Sequence, residues 1–454
     1  CIGGFLWVLA DEGVKRVDMD GFIDNQGNFG ADGIVGPHHE KEGSYYTIKQ
    51  LWSPVQVMNT AIDRNFDGKL SVENRYDYLN LNTCRFIWQQ VKFPSVTDAP
   101  NTTTRILKQG EVQGSDVAAH GVGVVDIKTS ILPETDALFL TVIDKYGYEL
   151  WRWTFPVDKL NRETEQFSAS SGRASYTETE KGITVKANGR TFVFSKKDGQ
   201  LKDVSVNNRK ISFANGPRFI GARRADRSLD QFYNHDDEKA KAKDRTYSEF
   251  TDAAVFTKLD VKEEGGNLIL TANYKLGNLD KAQWTIHPDG MATLDYTYNF
   301  SGVVDLMGIC FDYPEEQVLS KRWLGAGPYR VWQNRIHGTQ YDIWENDYND
   351  PIPGETFTYP EFKGYFGSVS WMSIRTKEGT ISLTNETPDS YIGVYQPRDG
   401  RDRLLYTLPE SGISVLNVIP PVRNKVNSTD LCGPSSQPKW VDGSQTGRLV
   451  IRFE

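Results

Sequence analysis

Phe192–Phe213 reads FVFSKKDGQLKDVSVNNRKISF, and its alternation decides the fold class. Apolar residues recur every second position, as in a strand with one buried face. The runs are broken at Asp198-Gly199 and at Asn207-Asn208, pairs that tolerate positive φ and so turn hairpins. The same signature returns in WTIHPDGMATLDYTY (284–298), which turns at Pro288–Gly290. Residues 175–454 therefore read as one large antiparallel β-sandwich, in which only Leu229–Asp244 (LDQFYNHDDEKAKAKD) offers a helical alternative to an exposed loop.

Upstream, the polar, Ser-, Glu- and Arg-rich residues 161–174 read as a linker. Before it, period-two runs fall at WSPVQVMNTAI (52–62), LSVENRY (70–76), CRFIWQQVKF (84–93), GVGVVDI (121–127), ALFLTVID (137–144) and ELWRWTF (149–155). About seven short strands in roughly a hundred residues describe an immunoglobulin-like sandwich, here spanning 41–160. His38–Ile48 reads as a polar connector leading into it.

Residues 1–40 differ. Gly3–Glu12, GGFLWVLADE, is an apolar run behind a double glycine and before two acids. It reads as a buried parallel strand delivering polar groups at its C-terminal end, the end where a (β/α)8 barrel does its chemistry. The glycine-rich DNQGNFGADGIVGP (24–37) reads as an irregular loop whose backbone approaches something closely. The expectation is a mainly β chain that opens on the last strand and exit loop of an α/β barrel, with the rest of that barrel upstream.

Composition narrows the function. With 38% apolar and 25% charged residues the chain is globular, and no apolar run is long enough to span a bilayer. A net charge of −8 without a basic stripe argues against a nucleic-acid partner. Four cysteines (Cys1, Cys84, Cys310, Cys432) without CxxC spacing are too few for a disulfide scaffold. Eleven Trp, 21 Tyr and 22 Phe suit both wide sheets and sugar stacking.

Individual constellations carry two readings each. DRNFDGK (63–69) has the alternating acids of a calcium loop, but its twelfth position is Asn74 and strands flank it, so a hairpin turn is expected. His38-His39 beside Glu40 and Glu42 reads as a solvated connector, since neighbours on an extended chain point apart. In WLGAGPYRVWQNR (323–335) glycines imply a tight path off the strand, with Arg330 and Arg335 as bidentate donors. With YDIWENDYND (341–350) and FTYPEFKGYF (357–366) it forms aromatic loops that either line a carbohydrate site or pack one layer on another. No Ser-His-Asp, P-loop or Rossmann signature is present.

Four of these stretches together carry a resemblance. GGFLWVLADEGVKR, FGADGIVGPHHEKEGSYYTIKQLWSPVQV, LSVENRYDYLNLNTCRFIWQQVKF and KRWLGAGPYRVWQNR are similar, in this order, to glycoside hydrolase family 2, the group of the large bacterial β-galactosidases. They match its eighth barrel strand, its barrel exit, its immunoglobulin-like domain and its C-terminal supersandwich. The resemblance implies the C-terminal part of a retaining glycoside hydrolase acting on terminal β-linked sugars of oligo- or polysaccharides. Trp7 is then a wall of the galactose subsite, Phe29 a mobile aromatic beside it, and Asp32 a ligand of a bound monovalent cation and of a substrate hydroxyl. Na+ or Mg2+ is the cofactor implied for the full-length enzyme.

Departures from the family fall at Val8, where an acid is usual, at Gln437, where a tryptophan reaches the aglycone site with Trp440 three residues on, and at PEFKG. Both catalytic carboxylates of the family lie in its upstream barrel, so no catalytic residue is expected in this chain. Its implied partners are a carbohydrate substrate, the upstream barrel segment or subunit, and further copies in a homo-oligomer, without nucleic acid or membrane. The implied compartment is a bacterial periplasm or cytoplasm. The alternative is a stand-alone, non-catalytic carbohydrate-binding or assembly module using the aromatic loops.

Overall fold

The structure is a computed structural model that describes residues 4–24, 33–157, 172–224, 247–250, 252–347, 364–394, 409, 411–421 and 433–454. It is mainly β. Two sandwiches follow an N-terminal segment, and nearly all pairing is antiparallel.

The first sandwich sets a three-stranded sheet (Val55–Val57, Lys69–Asn74, Val122–Asp126) on a four-stranded one (Arg105–Gln113, Arg85–Lys92, Ala137–Ile143, Glu149–Pro156, in spatial order). Alternation drives it: in Arg85–Lys92 the even positions Phe86, Trp88 and Gln90 turn inward. They meet Leu70 and Val72 from the facing sheet and Leu138, Leu140 and Val142 from the next strand. The buried amide of Gln90 is satisfied by Thr129, Ser130, Leu132 and Thr135, as a polar group in a core must be.

The calcium-like loop is a turn. Asp63 accepts from Asn65 N–H at 2.8 Å and Asp67 from Lys69 N–H at 3.0 Å, so these acids hold their own backbone. The Arg105–Gln113 strand had no alternation to announce it, because it lies at a sheet edge with almost every side chain in contact with water.

The large sandwich packs an 11-stranded sheet on a nine-stranded one. The expected hairpins form as read: Val206 pairs with Arg209 across Asn207-Asn208, whose φ values are 49° and 66°. Gly290, φ 87°, turns Leu279–Ile286 into Ala292–Val304. Between the sheets lie Phe192, Phe194, Phe213, Trp284, Tyr298, Phe311 and Trp323. Phe213 and Phe311 stack with centroids 4.5 Å apart. Of the expected linker, residues 172–174 are described, and Ala174 already belongs to this core; Leu229–Asp244 lies outside the described residues.

Two expectations are corrected here. WLGAG does not leave the sheet: Val318–Gly327 is one strand, paired on both sides by Gln340–Asp347 and Trp371–Thr376. Its glycines make room instead, since a Cβ on Gly327 would sit 2.5 Å from Cγ of Trp344. YDIWEND is likewise strand rather than loop. Trp323, Trp332, Tyr365 and Phe366 are all buried, so packing is what these four do; residues 348–363 of the expected aromatic loops lie outside the described residues.

The sandwiches are joined through Phe93, Phe139, Leu324 and Trp371. Trp371 Nε1 donates to the Pro94 carbonyl at 3.2 Å, and Arg152 reaches Asp342 at 2.9 Å. The connector read at His38–Ile48 is also corrected, for Gly43–Leu51 is an α-helix. None of its residues is buried, and it is held from outside, as described below.

Candidate functional site

The N-terminal segment is where the resemblance places a sugar site. The buried strand expected over Gly3–Glu12 is not formed. Residues 4–9 belong to no strand, and Phe5, Leu6, Trp7 and Leu9 face solvent. A parallel strand needs hydrogen-bonding neighbours along both edges and cover on both faces. Here Ala10 forms one parallel bridge with Val35, and among the described residues nothing pairs the other edge. Downstream, Val14–Arg16 and Phe22–Asp24 make a small hairpin. Arg16 binds Asp18 and Asp24 at 2.6 and 2.9 Å, which holds the Asp18 carboxyl below its ordinary value.

One edge is nevertheless firmly clamped. Asp11 N–H donates to Val35 O at 2.9 Å, Val35 N–H to Leu9 O at 3.0 Å, and Ile34 N–H to Leu9 O at 3.1 Å. The Asp11 carboxylate, itself buried, accepts from Gly33 N–H at 2.7 Å. A side chain at position 33 would collide with Asp11 N and stand 2.5 Å from Val35 O, so only glycine admits this approach. The clamp holds the chain directly after position 32 against the Trp7 segment. Trp7 itself is 78% exposed. Phe29 and Asp32 lie outside the described residues.

A second neighbourhood joins the helix to the loop after the WLGAG strand. Tyr46 packs on Tyr329 at 5.1 Å, Thr47 donates to His337 O at 2.8 Å, and Gly338 N–H donates to Gln50 Oε1 at 2.6 Å. The same loop braces the C-terminal segment: Gln333 Nε2 donates to the carbonyls of Ser435 and Gln437 at 2.9 and 2.7 Å, and Asn334 to Ser436 at 2.9 Å. Gln437 is thus anchored by its backbone carbonyl. Trp440 opens the strand Lys439–Phe453 opposite Val303 and is 69% exposed. Among the described residues no hydrogen bond, ion pair or ring contact joins Trp7 to Gln437 or Trp440.

Charge in this region is organised around burial. Desolvation pushes the Arg335 guanidinium below the usual arginine range, with Glu42 opposing it, so this arginine is tucked toward the helix. Burial, with help from Tyr46 and Glu42, raises the Tyr329 phenol. Glu40 accepts from the His38 N–H at 2.9 Å and is held below its ordinary value chiefly by backbone hydrogen bonds. Among the described residues there is no group of three or more His, Cys, Asp or Glu arranged to hold a metal. The Asp11 carboxylate gives one oxygen to Gly33 N–H. No helix among the described residues is long and apolar enough to cross a membrane.

No motif pointed to a further polar cleft on the outer face of the 11-stranded sheet, around Arg218 and Asp312. The one hint was Asn215-Gly216-Pro217-Arg218, turn chemistry inside an otherwise apolar strand.

Comparison with known proteins identifies a family for the larger sandwich. The model of the beta galactosidase small chain matches residues 186–416. A β-galactosidase of Priestia megaterium (strain DSM 319 / IMG 1521) is 21% identical over 421 residues, covering 85% of this chain and 38% of its own. That of Staphylococcus xylosus is 21% identical over 427 residues, covering 86% and 40%. The chain therefore spans less than half the length of these curated relatives. Among solved structures, the galactose 1-epimerase from Lactobacillus acidophilus NCFM aligns at 10% identity with a TM-score of 0.32, covering 63% of this chain and 99% of that one.

Proposed function

Because the chain belongs to the β-galactosidase small chain family, we propose that it is the C-terminal part of a retaining, family 2-like glycoside hydrolase that releases terminal β-linked sugars. The observation that carries this reading is the N-terminal segment: apolar along Phe5–Leu9, exposed, and yet clamped by Asp11 and Gly33. Exposed apolar surface of this kind marks an interaction site, and rigid backbone makes it a site of fixed geometry. Its occupant is the segment that carries the rest of the barrel.

In that assembly Trp7 supplies a flat apolar face for the sugar ring. Phe29 and Asp32 complete the wall from the loop that the clamp closes. Gln437 and Trp440, carried by the braced C-terminal segment, border the leaving group. A monovalent cation at Asp32 would neutralise that carboxylate and orient a hydroxyl. The acid that protonates the leaving oxygen and the nucleophile that attacks the anomeric carbon, about 5 Å apart in a retaining enzyme, come from the covering segment.

The test is turnover of an aryl β-galactoside. The 454-residue chain by itself is expected to be inactive, and hydrolysis by the pure chain overturns the reading. In the full-length parent enzyme, Trp7→Ala should lower kcat/KM about tenfold or more. Trp52→Ala, also at an exposed position but outside the clamp, should leave it unchanged.

A further inference from the structure

We propose that the cleft formed by Asn215, Arg218, Asp312, Lys210, Glu249 and Tyr313 on the outer face of the 11-stranded sheet is a second saccharide-binding site, distinct from the surface around Trp7. The inference rests on the carbohydrate reading above and adds a site that the reading does not require.

The cleft is built by a break in strand register. Ala214–Arg224 pairs with Leu306–Asp312, but the register shifts between Ala214 and Arg218. Phe219 packs inward on Tyr298 and Phe300 at 5.4 and 5.9 Å. Strand alternation then turns Arg218 and Ile220 outward. The shift lets two donors reach one carboxylate: Arg218 Nη2 donates to Asp312 Oδ1 at 2.5 Å and Asn215 Nδ2 to Oδ2 at 2.6 Å. Lys202 Nζ holds Asn215 Oδ1 at 3.2 Å. Arg218 is thereby fixed through Nη2 alone, and among the described residues its Nε and Nη1 donate to nothing. A guanidinium locked in place with unused donors costs a ligand little ordering.

The surroundings select the ligand. The cavity is about 850 Å3, near the upper end of small-molecule sites, so it has room for more than one sugar ring. Two cationic side chains (Lys210, Arg218) face three anionic ones (Asp312, Glu249, Glu316). Such a balance gives no electrostatic preference for phosphate or nucleotide. Donors and acceptors instead share the lining with Ile220, Pro314 and Tyr313. A neutral polyol, whose every hydroxyl both donates and accepts, answers that pattern. The adjacent Cys310 thiol is buried, and burial raises its pKa.

Titration of the 454-residue chain with lactose and with a β-1,4-galactotetraose, followed by calorimetry and protein NMR, tests the proposal. Arg218→Ala should weaken binding about tenfold or more, the range of a hydrogen bond to a charged group. Glu249→Gln, at an exposed position that threatens no packing, should weaken it about threefold, and decides the matter if Arg218→Ala fails to fold. Trp7→Ala should bind as the wild-type chain does. Absence of binding to either sugar overturns the proposal, as does binding that disappears in Trp7→Ala and survives in Arg218→Ala. The hydrolase reading stands or falls separately, on turnover by the parent enzyme, which neither cleft variant should change.

Discussion

Trp7 and Trp323 sit in similar sequence, GGFLWVLADE and KRWLGAGPYR, and have opposite fates. Trp323 is fully buried on a strand paired along both edges. Its indole N–H donates to Ala326 O at 2.9 Å, and its ring meets Phe366 edge-on at 4.9 Å. Trp7 is 78% exposed, three residues before the bridge from Ala10 to Val35, the one bridge its segment makes among the described residues. Apolar content is therefore not what buries a strand. A strand goes inside when its backbone groups have partners on both sides, and the N-terminal segment has partners on one.

The contrast can be broken by deleting each ring. Trp323→Ala should cost about 3–5 kcal/mol, the transfer free energy plus a cavity among aromatics that cannot collapse. Trp7→Ala on the same chain should change stability by less than about 0.5 kcal/mol. Urea titration followed by tyrosine and tryptophan fluorescence compares them. Equal destabilisation would mean that Trp7 is packed and that its segment needs no cover.

The clamp sharpens the comparison at a smaller scale. Gly33→Ala should destabilise the 9–11 and 33–35 contact locally by about 1–3 kcal/mol, while the large core keeps its stability. Hydrogen exchange reads this directly. The Asp11 and Val35 amides, which donate to Val35 O and Leu9 O, should exchange about tenfold or more faster. The amides of Val318–Gly327 should not. Uniform loss of protection would show that the N-terminal segment and the sandwich fold as one unit.

These differences also explain what sequence could reveal. Hairpins were legible because their turns are chemical: Asn207-Asn208 and Asp198-Gly199 accept positive φ, and the alternation around them has one buried face. Arg105–Gln113 was not, since an exposed edge strand need not alternate. The helix Gly43–Leu51 was hidden because its reasons lie nearly three hundred residues away, at Tyr329, His337 and Gly338. WLGAG was misjudged because its glycines answer to neighbours invisible in a local window, Gly327 to the Trp344 ring and Gly325 to the backbone of Gly367–Val369. For the candidate site the sequence supplied Trp7 and the glycine-rich return. It did not show that Asp11 caps Gly33, or that Arg218 and Asn215 share Asp312. Each of those depends on which strand lies beside which.

The smallest expected effect tests the well-packed region from the side of charge. His287 stands at the turn between Leu279–Ile286 and Ala292–Val304, with Nε2 2.8 Å from Thr293 Oγ1. Burial holds its imidazole below the ordinary histidine value; Asp289 opposes this and Arg448 reinforces it. The folded chain thus keeps the ring neutral at a pH where the unfolded chain, titrating near 6.5, has already taken a proton. Wherever the unfolded state binds more protons, stability rises with pH. The contribution of His287 is therefore complete above about pH 6.5 and is lost as pH falls toward the depressed folded value. His287→Gln keeps a hydrogen-bonding group for Thr293 without titrating. Its melting temperature should fall less steeply than that of the wild-type chain between about pH 7.5 and 5.5, and the two curves should converge on the acid side. Parallel curves would show that the ring is as open to water as Trp7, and that the contrast between the two regions does not extend to this turn.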